Sequence, residues 1–188
     1  MKIVPVAHGL DLLASDLVRS PGLHMSHIYE SLFKQLEPKR YAGEYKPSPV
    51  MTAVGTAWEK HLEFLLTKAG VKVFRPGELV TPSGIAYSPD SIIDNNRLAE
   101  YKVAWWMSST DMPRKPASSF PPKFDKYVCQ MESYNFNLEM NLARLYVLFI
   151  QGRGKDPELL VYDIEFTARE LQTNWSMMMN HARQRKLL

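Results

Sequence analysis

Between residues 71 and 103 the chain is cut into short stretches rich in Val, Ile and Tyr, and this pattern constrains the fold more than any other feature. The stretches 71–74, 78–81, 85–87, 91–93 and 98–103 read as strands of a meander. Asp94-Asn95-Asn96 separates the last two. Asn and Asp tolerate left-handed backbone conformations and bond their own backbone, so this tripeptide predicts a hairpin turn.

Helical patterns surround the meander. Residues 10–19 form a short predicted helix ended by Ser20-Pro21-Gly22. Ser26 reads as the N-cap of a second, which carries Ile28, Leu32, Phe33 and Leu36 until Pro38 stops it. Residues 40–49 read as loop. A third helix is predicted over 52–68, where Trp58, Leu62, Leu65 and Leu66 recur at helical spacing and Gly70 follows. Residues 107–123 hold Pro113, Pro116, Pro121 and Pro122 and are too broken for a helix or central strand. Beyond them come a helix over 125–140, a strand over 145–150, a Gly-rich turn over 152–157, a strand over 159–164 and a helix from near Thr167. The expected architecture is α/β: one domain over residues 1–188, with a central mixed β-sheet flanked by helices.

Composition narrows the function classes. The single cysteine, Cys129, excludes an internal disulfide framework and any centre held by several thiolates of this chain; it reads as a buried structural thiol. No apolar run approaches the roughly 18–20 residues that span a bilayer, and Asp11 and Asp16 interrupt the N-terminal stretch. The expected setting is therefore cytoplasmic, the host cytoplasm if the protein is viral, with no membrane partner. A net charge of +3 permits a polyanionic partner and decides nothing alone.

The chemistry lies in Ser88-Pro89-Asp90, followed after nine residues by Glu100-Tyr101-Lys102. Alternate side chains of a strand share a face, so Glu100 and Lys102 project together while Tyr101 points away and offers its carbonyl near the acids. The hairpin carries Asp90 back beside Glu100. Two carboxylates and a main-chain carbonyl make a hard oxygen set suited to Mg²⁺, with Mn²⁺ able to substitute. Such a set serves phosphodiester hydrolysis, with Lys102 orienting the attacking water and offsetting transition-state charge. Acid-x-Lys occurs three times here, but only Glu100/Lys102 lies in a strand-like run with Pro-Asp one hairpin earlier.

Further side chains can join this group. Glu59 is a helical acid placed to complete the metal site, and Glu63, one turn later, is its rival. Gln130 and Tyr134 share a helical face, where an amide and a phenol reach the site or a phosphate; Tyr134 reads equally as core. Trp105 and Trp106 either stack on unpaired bases or anchor the loop. His24 and His27 receive no role. Arg183, Arg185 and Lys186 either track phosphates or form a solvated basic tail.

Taken in order, Glu59, Pro89-Asp90, Glu100-x-Lys102 and Gln130-x-x-x-Tyr134 resemble the PD-(D/E)XK nuclease superfamily, and the Gln-x-x-x-Tyr helix resembles its RecB-like branch. Within it, the pattern is most similar to the phage lambda exonuclease or YqaJ type of viral recombinase nuclease. That similarity rests on Ser88-Pro89-Asp90, the hairpin, Gly55-x-x-x-Glu59 upstream and Tyr127-x-x-Gln130 downstream, and it covers residues 19–175. The resemblance implies a restriction-endonuclease-like fold and a Mg²⁺-dependent deoxyribonuclease, expected to be an exonuclease on duplex ends in phage-type recombination or replication. An endonuclease or nickase, or a catalytically silent nucleic-acid-binding module, is the alternative. Asp90, Glu100 and the Tyr101 carbonyl are then the implied metal ligands, Lys102 serves the water, Glu59 assists and Gln130 steadies the site. Arg19 and Ser26 match the Arg and Ser with which lambda-type relatives hold a 5′-phosphate. The loop after Lys102 lacks an Arg at lambda-type spacing; its nearest basic residues, Arg114 and Lys115, are the candidate DNA contacts there. DNA is the implied partner, with a single-strand-annealing or other replication protein as a further one.

Overall fold

The computed structural model describes residues 20–41, 48–105, 109–151 and 156–188. The predicted helix over 10–19, Arg19 and Trp106 lie outside the described residues. In chain order the elements are α1 (Met25–Leu36), α2 (Pro49–Lys68), β1 (Val73–Phe74), β2 (Leu79–Val80), β3 (Ala86–Tyr87), β4 (Ser91–Ile93), β5 (Arg97–Ala104), a 3₁₀ turn (Pro122–Phe124), α3 (Asp125–Asn137), β6 (Leu142–Phe149), β7 (Glu158–Glu165) and α4 (Ala168–Gln184). Five strands form a mixed sheet in the order β1-β4-β5-β6-β7, with β5 and β6 parallel and the other pairs antiparallel. This is the mixed sheet flanked by helices that the sequence predicts. The two-residue strands β2 and β3 instead pair with each other as a separate small sheet.

The turn at Asp94 and Asn95 has φ of 50° and 66°, the left-handed region these residues tolerate. It sets Ser91 opposite Ala99 and Ile93 opposite Arg97. Strand periodicity then splits β5 between two cores. Leu98 and Ala104 join the larger core with Ile28 and Leu32 of α1, Met131 of α3 and Met178 of α4. Ala99 and Tyr101 face the other side, where they pack with Leu62 of α2 and Tyr146 of β6. Cys129 is buried, with its thiol 3.8 Å from the Met178 sulfur. Among the described residues no helix is long and apolar enough to cross a membrane.

Two helix starts differ from the sequence reading. α1 begins at Met25 with His24, not Ser26, as its N-cap. The cause is a long-range pairing: His24 bridges Ala86 in parallel, and the Ala86 N–H donates to the Leu23 carbonyl at 2.9 Å. That bridge holds the chain extended up to His24 and lets the helix start at once. Ser26 thus sits inside the first turn. α2 starts at Pro49 rather than Thr52, because the Ser48 hydroxyl accepts the Met51 N–H at 3.2 Å and proline suits a first helical position.

Candidate active site

β5 supplies the centre of the site. Glu100 points from it into the protein and is fully buried, while Lys102, two residues on, is one-fifth exposed on the same face. The Lys102 ammonium is bonded to Glu100 Oε1 and lies 3.8 Å from Asp90 Oδ2. Asp90 precedes β4, and the hairpin register lays its carboxylate against β5, where Oδ2 accepts the Tyr101 N–H at 2.7 Å. Tyr101 therefore contributes through its backbone, and its ring lies across the sheet with the hydroxyl 2.5 Å from Ser91 Oγ. From α3, the Gln130 amide donates to Glu100 Oε1 at 2.6 Å and lies 3.2 Å from the Tyr134 hydroxyl.

The structure thus brings Asp90, Glu100, Lys102, Gln130 and Tyr134 together. Glu59 sits apart from that bonded group. Its carboxylate lies 3.5 Å from Arg75, which pairs more closely with Glu63 at 2.7 Å. Glu59 still feels the cluster: burial, then repulsion from Asp90, raises its pKa. Arg114 is held by Glu158 of β7 at 2.6 Å, two strands from β5, and neighbouring Lys115 is exposed. Trp105 is half-buried at the end of β5.

The electrostatics are those of a buried acid held beside a second acid. Burial, and next the Asp90 charge, drives the Glu100 carboxyl well above the usual carboxylate range. For Lys102 burial acts downward, but the Glu100 and Asp90 charges outweigh it and keep the ammonium protonated. The Tyr127 ring lies 5.6 Å from the ammonium and adds a cation–π contact.

Beside Gln130 and Tyr134 opens a cavity of about 240 Å³, lined also by His24, Ser26, Tyr29 and Ser88. His24, which received no role from the sequence, donates from Nε2 to the Ser20 carbonyl at 2.8 Å and lies 3.7 Å from Glu78. Ser88 belongs to the same tripeptide as Asp90, which was the only sequence signal for its place here. Arg75 had none.

These features define the fold class: a restriction-endonuclease-like α/β fold, a central mixed sheet flanked by helices, with an acid–lysine cluster where the β4–β5 hairpin meets α3. Among solved structures, an alkaline exonuclease (LHK-Exo) from Laribacter hongkongensis matches with a TM-score of 0.50 at 15% identity, over 87% of this chain and 89% of that one. A structure of LHK-Exo in complex with dAMP matches with a TM-score of 0.50 at 14% identity and the same coverage. At such identities the likeness is one of fold. No family model and no curated protein matches the sequence.

Proposed function

We propose that this chain is a divalent-metal-dependent deoxyribonuclease that hydrolyses phosphodiester bonds at the ends of duplex DNA, of the RecB-like, lambda-exonuclease type. One observation carries the reading: Asp90 and Glu100 converge on the Lys102 ammonium, and Glu100 Oε2 is buried without any hydrogen-bond partner. A buried, orphaned carboxylate oxygen is costly unless a cation takes it. Oxygen donors of this kind suit Mg²⁺ or Mn²⁺. Among the described residues no three His, Cys, Asp or Glu side chains group closely enough to hold a metal unaided. The ligand set is therefore Asp90, Glu100 and the Tyr101 carbonyl with water, and Glu59 acts on its charge balance from a distance. When bound, the ion supplies Lewis-acid polarisation of the phosphate and lowers the pKa of water in the site.

The protein's own residues do the rest. The Lys102 ammonium orients the attacking water and opposes the negative charge that builds on the phosphorus centre. The Gln130 amide fixes the rotamer of Glu100, and the Tyr101 N–H fixes that of Asp90, so both carboxylates are set before substrate arrives. The cavity beside Gln130, with Ser26 in its wall and Arg19 seven residues earlier, receives the 5′-phosphorylated strand end. LHK-Exo, which shares this fold, was crystallised in complex with dAMP.

The direct test is incubation with linear and closed-circular duplex DNA plus Mg²⁺ or Mn²⁺, alongside Lys102→Ala. We expect loss of linear DNA from its ends and a fall of at least a hundredfold in the variant, the scale for removing one charge-stabilising group. Nicked circles would reassign the protein as an endonuclease. Equal rates for parent and variant would remove Lys102 from the chemistry.

A further inference from the structure

The basic end of α4 plays no part in the site described so far. Arg183, Arg185 and Lys186 are exposed there. Arg185 reaches back to α1, where it donates to Gln35 Oε1 at 3.1 Å. Between the two helices runs a cleft of about 360 Å³, lined by His27, Glu30, Ser31, Lys34, Gln35 and Arg185. Its one acid, Glu30, lies 3.5 Å from Lys126 of α3 and is offset by it. Ser31 is occupied with His181 at 2.9 Å. No acid among the described residues pairs with Lys34, Arg183, Arg185 or Lys186. The cleft therefore presents unspent positive charge over a polar floor.

Its position gives that charge a direction. α1 and its N-cap form a wall of both hollows: His24, Ser26 and Tyr29 line the cavity beside Gln130, and His27, Glu30, Ser31 and Lys34 line the cleft. From Ser26 to Lys34 the helix rises about 12 Å. Phosphates of one duplex strand advance about 3.4 Å along the axis per nucleotide, so this rise spans three to four nucleotides.

We propose that the cleft between α1 and the end of α4 is a second nucleic-acid contact, in which Lys34 and Arg185 hold backbone phosphates of the strand whose end lies at Ser26. This deepens the nuclease reading and rests on it. The contact reads no sequence, because lysine and arginine on phosphate position a strand without seeing its bases. It keeps the polymer on the enzyme between cleavage events.

Binding, measured apart from cleavage, tests it. Fluorescence anisotropy follows a 5′-phosphorylated duplex of several helical turns across a salt series with Ca²⁺ in place of Mg²⁺. The proteins are the parent, Lys34→Gln/Arg185→Gln, and Lys68→Gln/Arg169→Gln, which removes equal charge from exposed sites elsewhere. We expect the first variant to bind about tenfold more weakly and to lose about 2 from the slope of log affinity against log salt. The second should keep the parent's slope. Both paired substitutions lie on exposed helix surface, and equal thermal melts confirm that they fold. A parent that binds with an unchanged slope in Lys34→Gln/Arg185→Gln, or an equal loss in both variants, overturns the cleft while leaving the nuclease reading standing. A parent that binds no duplex overturns both.

Discussion

Glu100 occupies a fully buried position, where a carboxylate carries a desolvation cost that an aliphatic side chain would not. One oxygen is shared by Lys102 and Gln130, and the other has no partner. Gln130 can be tested separately from the charges. Replacing it with Leu keeps the volume but removes the donor to Oε1, leaving the carboxylate held by Lys102 alone. Gln130→Leu should cost about 1.5–3 kcal/mol of stability, the net worth of a hydrogen bond to a charged group. It should also raise the metal concentration for half-maximal cleavage about 10- to 100-fold, as loss of an orienting neighbour does. Urea melts and a Mn²⁺ titration of cleavage measure the two effects. An unchanged metal dependence would show that Gln130 only packs.

At the scale of elements, the β4–β5 hairpin decides whether Asp90 meets Glu100 at all. A one-residue slip would turn Glu100 and Lys102 to the α2 side and bring Tyr101 to the site. The register rests on a turn whose Asn95 has φ of 66°. A β-branched residue is strained there and glycine is not, so Asn95→Val should destabilise by about 1–2 kcal/mol and Asn95→Gly by no more than a few tenths. A comparison of urea midpoints settles it, and equal midpoints would mean the turn is not what fixes the register. This turn was legible in the sequence because the preference for left-handed backbone is local to Asp94 and Asn95. The start of α1 was not, since it is imposed by a bridge between His24 and Ala86, far apart in the chain. The pairing of β2 with β3, apart from the main sheet, is likewise a choice among distant partners that short apolar stretches cannot encode. The same division runs through the site. Glu100 and Lys102 follow from strand alternation, and Asp90 follows from the hairpin. Gln130 was marked with Tyr134 by their shared helical face, and its role of steadying the site came through resemblance. Arg75, which diverts Glu63 and bonds Glu59, depends on how α2 lies against β1 and gave no signal.

Across the whole molecule the sheet separates two packed layers, and α3 is the element that joins catalysis to stability. One side of α3 delivers Gln130 to Glu100, while Glu132 borders a groove of about 980 Å³ against β7 and α4. Burial, and next the charge of Glu170, pushes the Glu132 carboxyl up to about 7 from its ordinary 4.5. The folded state thus binds a proton that the unfolded chain releases earlier. For an acid shifted upward, the stabilising contribution is complete below the unfolded value of 4.5 and is lost as pH rises through about 7. The parent should therefore lose stability between those values and then level off. Because Glu132 is partly open to solvent, the loss is reduced by screening to about 1–2 kcal/mol. Glu132→Gln keeps the shape and cannot ionise, so it should be more stable than the parent by that amount at pH 8 and equal to it at pH 4.5. Urea midpoints for both proteins at the two pH values measure the difference. A gap of the same size at both would mean that the substitution acts through packing, and that the groove beside α3 imposes no cost on a charged Glu132.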